Sequence, residues 1–115
     1  MRYSVSGSNT AAINPATASS AQYVLGKAFV TNRKFWLRGV HVAYNATQGP
    51  VNIVDASSGA TATGAVVSIN LDPNVANTTV EFSAPGLLFQ TGCAAFLDAS
   101  GSIPIARISG WGYEE

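Results

Sequence analysis

Charge is scarce in this chain. Asp, Glu, Lys and Arg make up only 10% of its 115 residues, against about a quarter in an average globular domain. Six basic and six acidic residues cancel, so the chain has no general attraction to nucleic acid. His41 and Cys93 are the single histidine and cysteine. That leaves too few ligands for a zinc site and no partner for an intrachain disulfide. Cys93 lies in the apolar stretch FQTGCAAFL and is expected to pack as a small hydrophobe. No apolar run approaches the roughly 18 residues of a membrane span, and the opening MRYSVSGSN lacks the apolar segment of a secretion signal. Neither a membrane nor an export route is expected.

Catalytic signatures are missing as well. The chain has no Gly-x-x-x-x-Gly-Lys or Gly-x-Gly-x-x-Gly phosphate loop and no Gly-x-Ser-x-Gly nucleophile elbow. Its three aspartates are Asp55, Asp72 and Asp98. Two of them stand in an echo, VDASSGA from Val54 and LDASGSI from Leu97. Each follows an apolar strand end and precedes Ser and Gly. Asp accepts from backbone N–H groups two residues on, and Gly supplies positive φ, so the echo reads as two turns. LDPN at 71–74 makes a third. The aspartic protease motif places its Gly two residues after Asp, whereas DASG places it three after, and the tight protease loop does not form. No Asp spacing matches a calcium loop. A glycoside-hydrolysing pair drawn from Asp55, Asp72, Glu81 and Asp98 would need carboxylates free of turn duty. The expectation is a non-enzymatic protein with no cofactor and no metal.

Short runs rich in Val, Ile, Phe and Tyr are present, separated by Gly, Pro, Asn and Ser, with no sustained helical period. They predict strands near 2–6, 22–31, 35–44, 50–55, 65–71, 78–83, 86–91, 94–98 and 103–109, and a short piece at 111–113. The expected fold is all-β, a two-sheet antiparallel sandwich of jelly-roll type. KFWLRGVHVAYN at 34–45 is the most informative stretch. Phe35 and Leu37 share one phase, while Val40, Val42 and Tyr44 share the other. A β-bulge at Gly39 would turn all five inward and leave Trp36, Arg38 and His41 outside. Residues 1–21 are read as an N-terminal strand and a flexible arm, and 22–115 as the sandwich domain. The arm, SGSNTAAINPATASSA at 6–21, has Ile13 as its one large apolar anchor and would suit a latch onto a neighbour.

Low charge on so small a chain points to surface covered by other subunits. Lys27, Arg33, Lys34 and Arg38 hold four of the six basic residues, and every acid lies at Asp55 or beyond. Such segregation suits contacts between copies, or the charges mix on one folded surface. The segment VTNRKF reads as a loop between strands, either merely solvated or docking on acidic side chains.

FWLRGVHVAYNATQGPVNIVDASSGA, then VEFSAPGLLFQTGCAAFLDASGSIPIARISGWGY, resembles in layout the small all-β virion proteins of tailed bacteriophages. Four features over 34–113 carry the resemblance: Leu37-Arg38-Gly39-Val40, the Asp turn from Val54 to Gly59, Leu88-Phe89-Gln90-Thr91-Gly92, and Trp111-Gly112-Tyr113. It implies a jelly-roll-like decoration (cement) protein on the virion surface, bracing the major capsid protein lattice, or a module of a tail or fibre. Lattice symmetry favours a trimer over a dimer. Lys27, Arg33, Lys34, Arg38, Ile13, Trp111 and Tyr113 are the expected capsid or subunit contacts. The alternative is a tail-fibre or spike module binding a cell-surface carbohydrate, with Trp36 and His41 as the platform beside Trp111 and Tyr113.

Overall fold

The computed structural model describes residues 2–9, 22–28, 32–44, 49–56, 65–72, 74–97 and 107–115. They form nine strands: β1 (Tyr3–Asn9), β2 (Gln22–Tyr23), β3 (Phe35–Ala43), β4 (Gly49–Asp55), β5 (Val67–Leu71), β6 (Asn77–Glu81), β7 (Leu87–Phe89), β8 (Cys93–Leu97) and β9 (Arg107–Glu114). One sheet runs β1-β9-β3-β6, with β7 also on β3, and the second runs β2-β8-β4-β5. All seven pairings are antiparallel.

β6 and β7 occupy one strand position. Glu81 stands opposite Gly39 and Leu87 opposite Leu37. Glu81 and Leu87 are six positions apart while their partners are two apart, so four residues loop out. With β6–β7 taken as one interrupted strand, each sheet has four positions. Consecutive strands switch sheets except at β4–β5, and the first strand pairs with the last, which is the strand order of a jelly roll. The two-sheet sandwich expected from the strand pattern is the fold.

β3 shows how local sequence becomes packing. Its register against β9 shifts between Leu37 and Gly39, so one residue is added at the place where the apolar phase switches. Phe35, Leu37, Val40, Val42 and Tyr44 are all buried. They join Val51, Ile53, Ile69 and Leu71 of the other sheet, together with Val24, Phe89 and Ile108, in a single core cluster. Each large side chain buried there contributes about 1.5–3 kcal/mol. Phe35 and Phe89 meet with ring centroids 6.4 Å apart. Cys93 belongs to the same cluster.

Some strand limits differ from the sequence pattern. The strand expected over 22–31 is two residues long, because Gly26 takes a φ of 75° and its N–H closes a turn on the Tyr23 carbonyl. β1 runs on to Asn9, whose side-chain amide donates to the Tyr23 carbonyl at 2.8 Å, so residues 6–9 are strand. The pieces at 107–109 and 111–113 are one strand, continuous through Gly110 between Gly7 and Val40. Ile13 and Asp98 lie outside the described residues.

Candidate functional site

The outward side chains of the β1-β9-β3-β6 sheet fall in three rows. Ser4, Tyr113, Trp36 and Leu88 make the first. Ser6, Trp111, Gly39 and Glu81 make the second. Ser8, Ser109, His41 and Thr79 make the third. β1 supplies only serines to this face, so the aromatics of β9 are not overshadowed. In the second row Trp111 stands between serine and glycine. Its indole tips onto Gly39, and a Cβ built on Gly39 would collide with the six-membered ring. The glycine at the bulge thus makes the bend and also leaves the seat for a tryptophan.

In the first row Trp36 and Tyr113 stack with centroids 6.4 Å apart and planes 23° apart. The Arg2 guanidinium lies 4.6 Å over the Tyr113 ring, a cation–π contact. Trp36 Nε1 donates to Glu115 Oε1 at 3.1 Å. Tyr113 donates its hydroxyl to the Pro85 carbonyl at 3.1 Å, which ties β9 to the looped-out segment between β6 and β7. That segment turns through a cis Ala84–Pro85 bond and through Gly86 at φ 106°. A Cβ on Gly86 would lie 2.6 Å from the Leu37 carbonyl oxygen.

Phe82 and Ser83, at the start of this segment, form the rim along one side of an open groove of about 700 Å³. Trp111 and Tyr113 line the groove with Ser4, Arg38, Glu81 and Ser83. Arg38 is held by its Nε, which donates to the Phe82 carbonyl at 3.2 Å, and its backbone carbonyl accepts from the Phe82 N–H at 2.9 Å. Among the described residues no ion pair joins Arg38 to Glu81. The groove therefore presents one cation, one carboxylate, two serine hydroxyls, an indole and the Tyr113 ring.

The expected contact residues do not form one cluster. Lys27 is exposed and follows Gly26, whose backbone abuts Ser8. Arg33 is at the other end of β1, 4.0 Å over the Tyr3 ring and 3.1 Å from Glu114 Oε2. The Glu114 side chain is only 6% exposed, so Arg33 is the counter-charge of a carboxylate in its own chain. Lys34 exchanges backbone hydrogen bonds with Glu115, both 3.0 Å, and its side chain is exposed. Arg38 is on the groove, away from both. Trp36, Arg38 and His41 face outward, and His41 Nδ1 lies 2.6 Å from the Thr79 hydroxyl. Trp36 and Trp111 are both half-buried, but Trp36 is engaged by Tyr113 and Glu115, whereas Trp111 lines the groove. Glu81 and Ser83 were missed as site residues, although the outward phase of Glu81 in TTVEFSA is legible in the sequence.

Asp55 and Asp72 work as backbone acceptors. Asp72 Oδ1 accepts the Asn74 N–H at 2.9 Å, the local turn expected of it. Asp55 reaches a distant segment, and positions 57–59 of its expected local turn lie outside the described residues. Its Oδ1 accepts from Gln90 at 3.1 Å, Thr91 at 2.7 Å and Gly92 at 3.1 Å, and its Oδ2 accepts from Gln90. The cause is pairing: Asp55 stands opposite Cys93, so the chain entering β8 passes its carboxylate. Burial pushes the Cys93 thiol far above the ordinary thiol range, and the charge of Asp55 adds to the shift. Among the described residues no three of His, Cys, Asp and Glu gather as a metal-ligating group.

No protein-family model matches the chain, and neither a curated protein nor a solved structure matches it.

Proposed function

We propose that this chain is a non-enzymatic structural protein of a phage virion, binding the assembled capsid as a decoration protein and bracing contacts between capsomers. The use of the acidic side chains is the observation that carries the reading. Asp55 and Asp72 hold backbone segments, Glu114 neutralises Arg33, and Glu115 ties Trp36 and Arg2 at the sheet end. These carboxylates build the sandwich and are not gathered around a substrate. The low charge and the resemblance in layout supply the virion context. Lys27 and Lys34, exposed and without an acidic partner among the described residues, are two of the cations placed to meet an acidic capsid surface. Each exposed pair contributes only ~0–1 kcal/mol, so attachment draws on several copies, in a trimer first and a dimer second.

Light scattering of the protein alone, and co-sedimentation with empty capsids across a salt series, test this. Saturable binding of an oligomer that weakens as salt rises supports it. A monomer that never sediments with capsids overturns it. A second reading, a tail-fibre or spike module for cell-surface carbohydrate, is favoured by one observation, the groove beside Trp111.

A further inference from the structure

We infer that the groove between Trp111 and the rim at Phe82 and Ser83 is a binding site for a neutral oligosaccharide. The inference deepens the carbohydrate reading above and does not depend on capsid attachment. Its volume of about 700 Å³ lies within the ~300–1,000 Å³ of small-ligand sites.

Three features of the lining select the ligand. First, Trp111 is half-buried on the outer face, tipped onto the Gly39 seat. It offers a flat apolar surface beside polar groups, the position in which a tryptophan takes an amphipathic partner. Second, among the described residues the Arg38 guanidinium is anchored by Nε alone, so its terminal nitrogens present a planar donor fork. Glu81 is exposed at the edge of the face and presents two acceptor oxygens. A fork of donors and a pair of acceptors match adjacent hydroxyls, each of which donates and accepts. Third, the two charges balance. An anionic ligand meets Glu81 and a cationic one meets Arg38, so a ligand without charge avoids repulsion at either side.

A peptide is a poor fit. Extended peptides bind by backbone pairing at a free sheet edge, whereas this groove lies on a sheet face whose backbone groups are used in the β1-β9-β3 ladders. Three carbonyls beside the groove are also taken: Phe82 by Arg38, Ser83 by Gly86 and Pro85 by Tyr113. A peptide's own N–H and C=O groups would lie unmatched there.

The test is an array of neutral oligosaccharides of hexose, N-acetylhexosamine and deoxyhexose units. It is followed by NMR titration of the intact protein, with the Trp111 indole signal assigned through Trp36→Phe. The array hit and an anionic oligogalacturonate are compared. Expected are a shift of the Trp111 signal with the neutral ligand at millimolar or lower concentration and about a tenfold loss of affinity in Arg38→Gln and in Glu81→Gln. Trp111→Ala should lose binding altogether. Glu81→Gln, an exposed substitution, keeps the fold and leaves capsid co-sedimentation unchanged, so failure here is distinct from failure of the decoration reading. The inference is overturned if no neutral oligosaccharide moves the Trp111 signal at up to about 10 mM. It is equally overturned if binding survives Glu81→Gln and Arg38→Gln undiminished, or if the anionic probe binds more tightly.

Discussion

The carboxylate of Asp55 accepts the backbone N–H of Thr91 at 2.7 Å, across 36 residues of chain. It also accepts from Gln90 and Gly92, so three successive N–H groups that belong to no strand ladder converge on one side chain. Ionised acceptors make stronger hydrogen bonds than neutral ones, and donors left without a partner cost stability. Asp55→Ala is therefore expected to destabilise the fold by about 1.5–3 kcal/mol. Asp72→Ala, which loses one local bond, should cost about 1 kcal/mol or less. Denaturant melts of the two variants check the order; equal losses would mean that the long-range clamp adds nothing.

Gly39 and Trp111 are coupled through space. Gly39→Ala puts a methyl group where the indole lies and should cost about 1–3 kcal/mol, as overpacking does. In the background of Trp111→Ala the same change should cost much less, leaving a coupling of at least ~0.5 kcal/mol in a double-mutant cycle. Additive losses would show that the indole is not seated on residue 39.

Arg33 and Lys34 are neighbours with different fates. Arg33→Ala removes the counter-charge of Glu114, whose side chain is 6% exposed. Because Arg33 itself is one-third exposed, we expect about 1–2 kcal/mol rather than the ~3–5 of a fully buried pair. Lys34→Ala keeps its backbone bonds to Glu115 and should be silent in a thermal melt. Capsid attachment is thus best probed with Lys27→Ala and Lys34→Ala together, a pair expected to fold normally and to bind less at low salt. Undiminished occupancy of that pair would mean both cations are merely solvated.

Cys93 sets an alkaline limit. Burial first, and the charge of Asp55 second, hold its thiol protonated in the folded chain. The unfolded chain releases that proton near the ordinary thiol value of about 8.5. A group whose folded pKa is raised gives its full contribution below the unfolded pKa, and the contribution falls as pH climbs past it. Between about pH 8.5 and 10 stability should drop by up to ~1.4 kcal/mol per unit. Cys93→Ala should lack this slope, whatever its constant loss from the cavity. Parallel pH profiles for the two proteins would remove Cys93 as the cause, and fast alkylation of the native thiol at neutral pH would contradict its burial.

What was legible in the sequence was local. Apolar alternation gave the all-β class and the inward phase of Phe35, Leu37, Val40, Val42 and Tyr44, because side chains in a strand alternate whatever strand lies alongside. The phase switch marked the bulge at Gly39 for the same reason, and it left Trp36, Arg38 and His41 outside. The turn at Asp72 was legible because its donor is two residues away. Pairing across the chain was not. Glu114 faces Arg33, Asp55 faces Thr91 and Trp111 covers Gly39 only because a jelly roll brings its last strand between its first and third and lays β8 beside β4. The groove depends on the same pairing. Arg38 and Glu81 meet Trp111 across three strands and a looped-out rim, and the chain order of these residues says nothing about that meeting, since strand partners are chosen by the burial of whole sheets and not by neighbours in sequence.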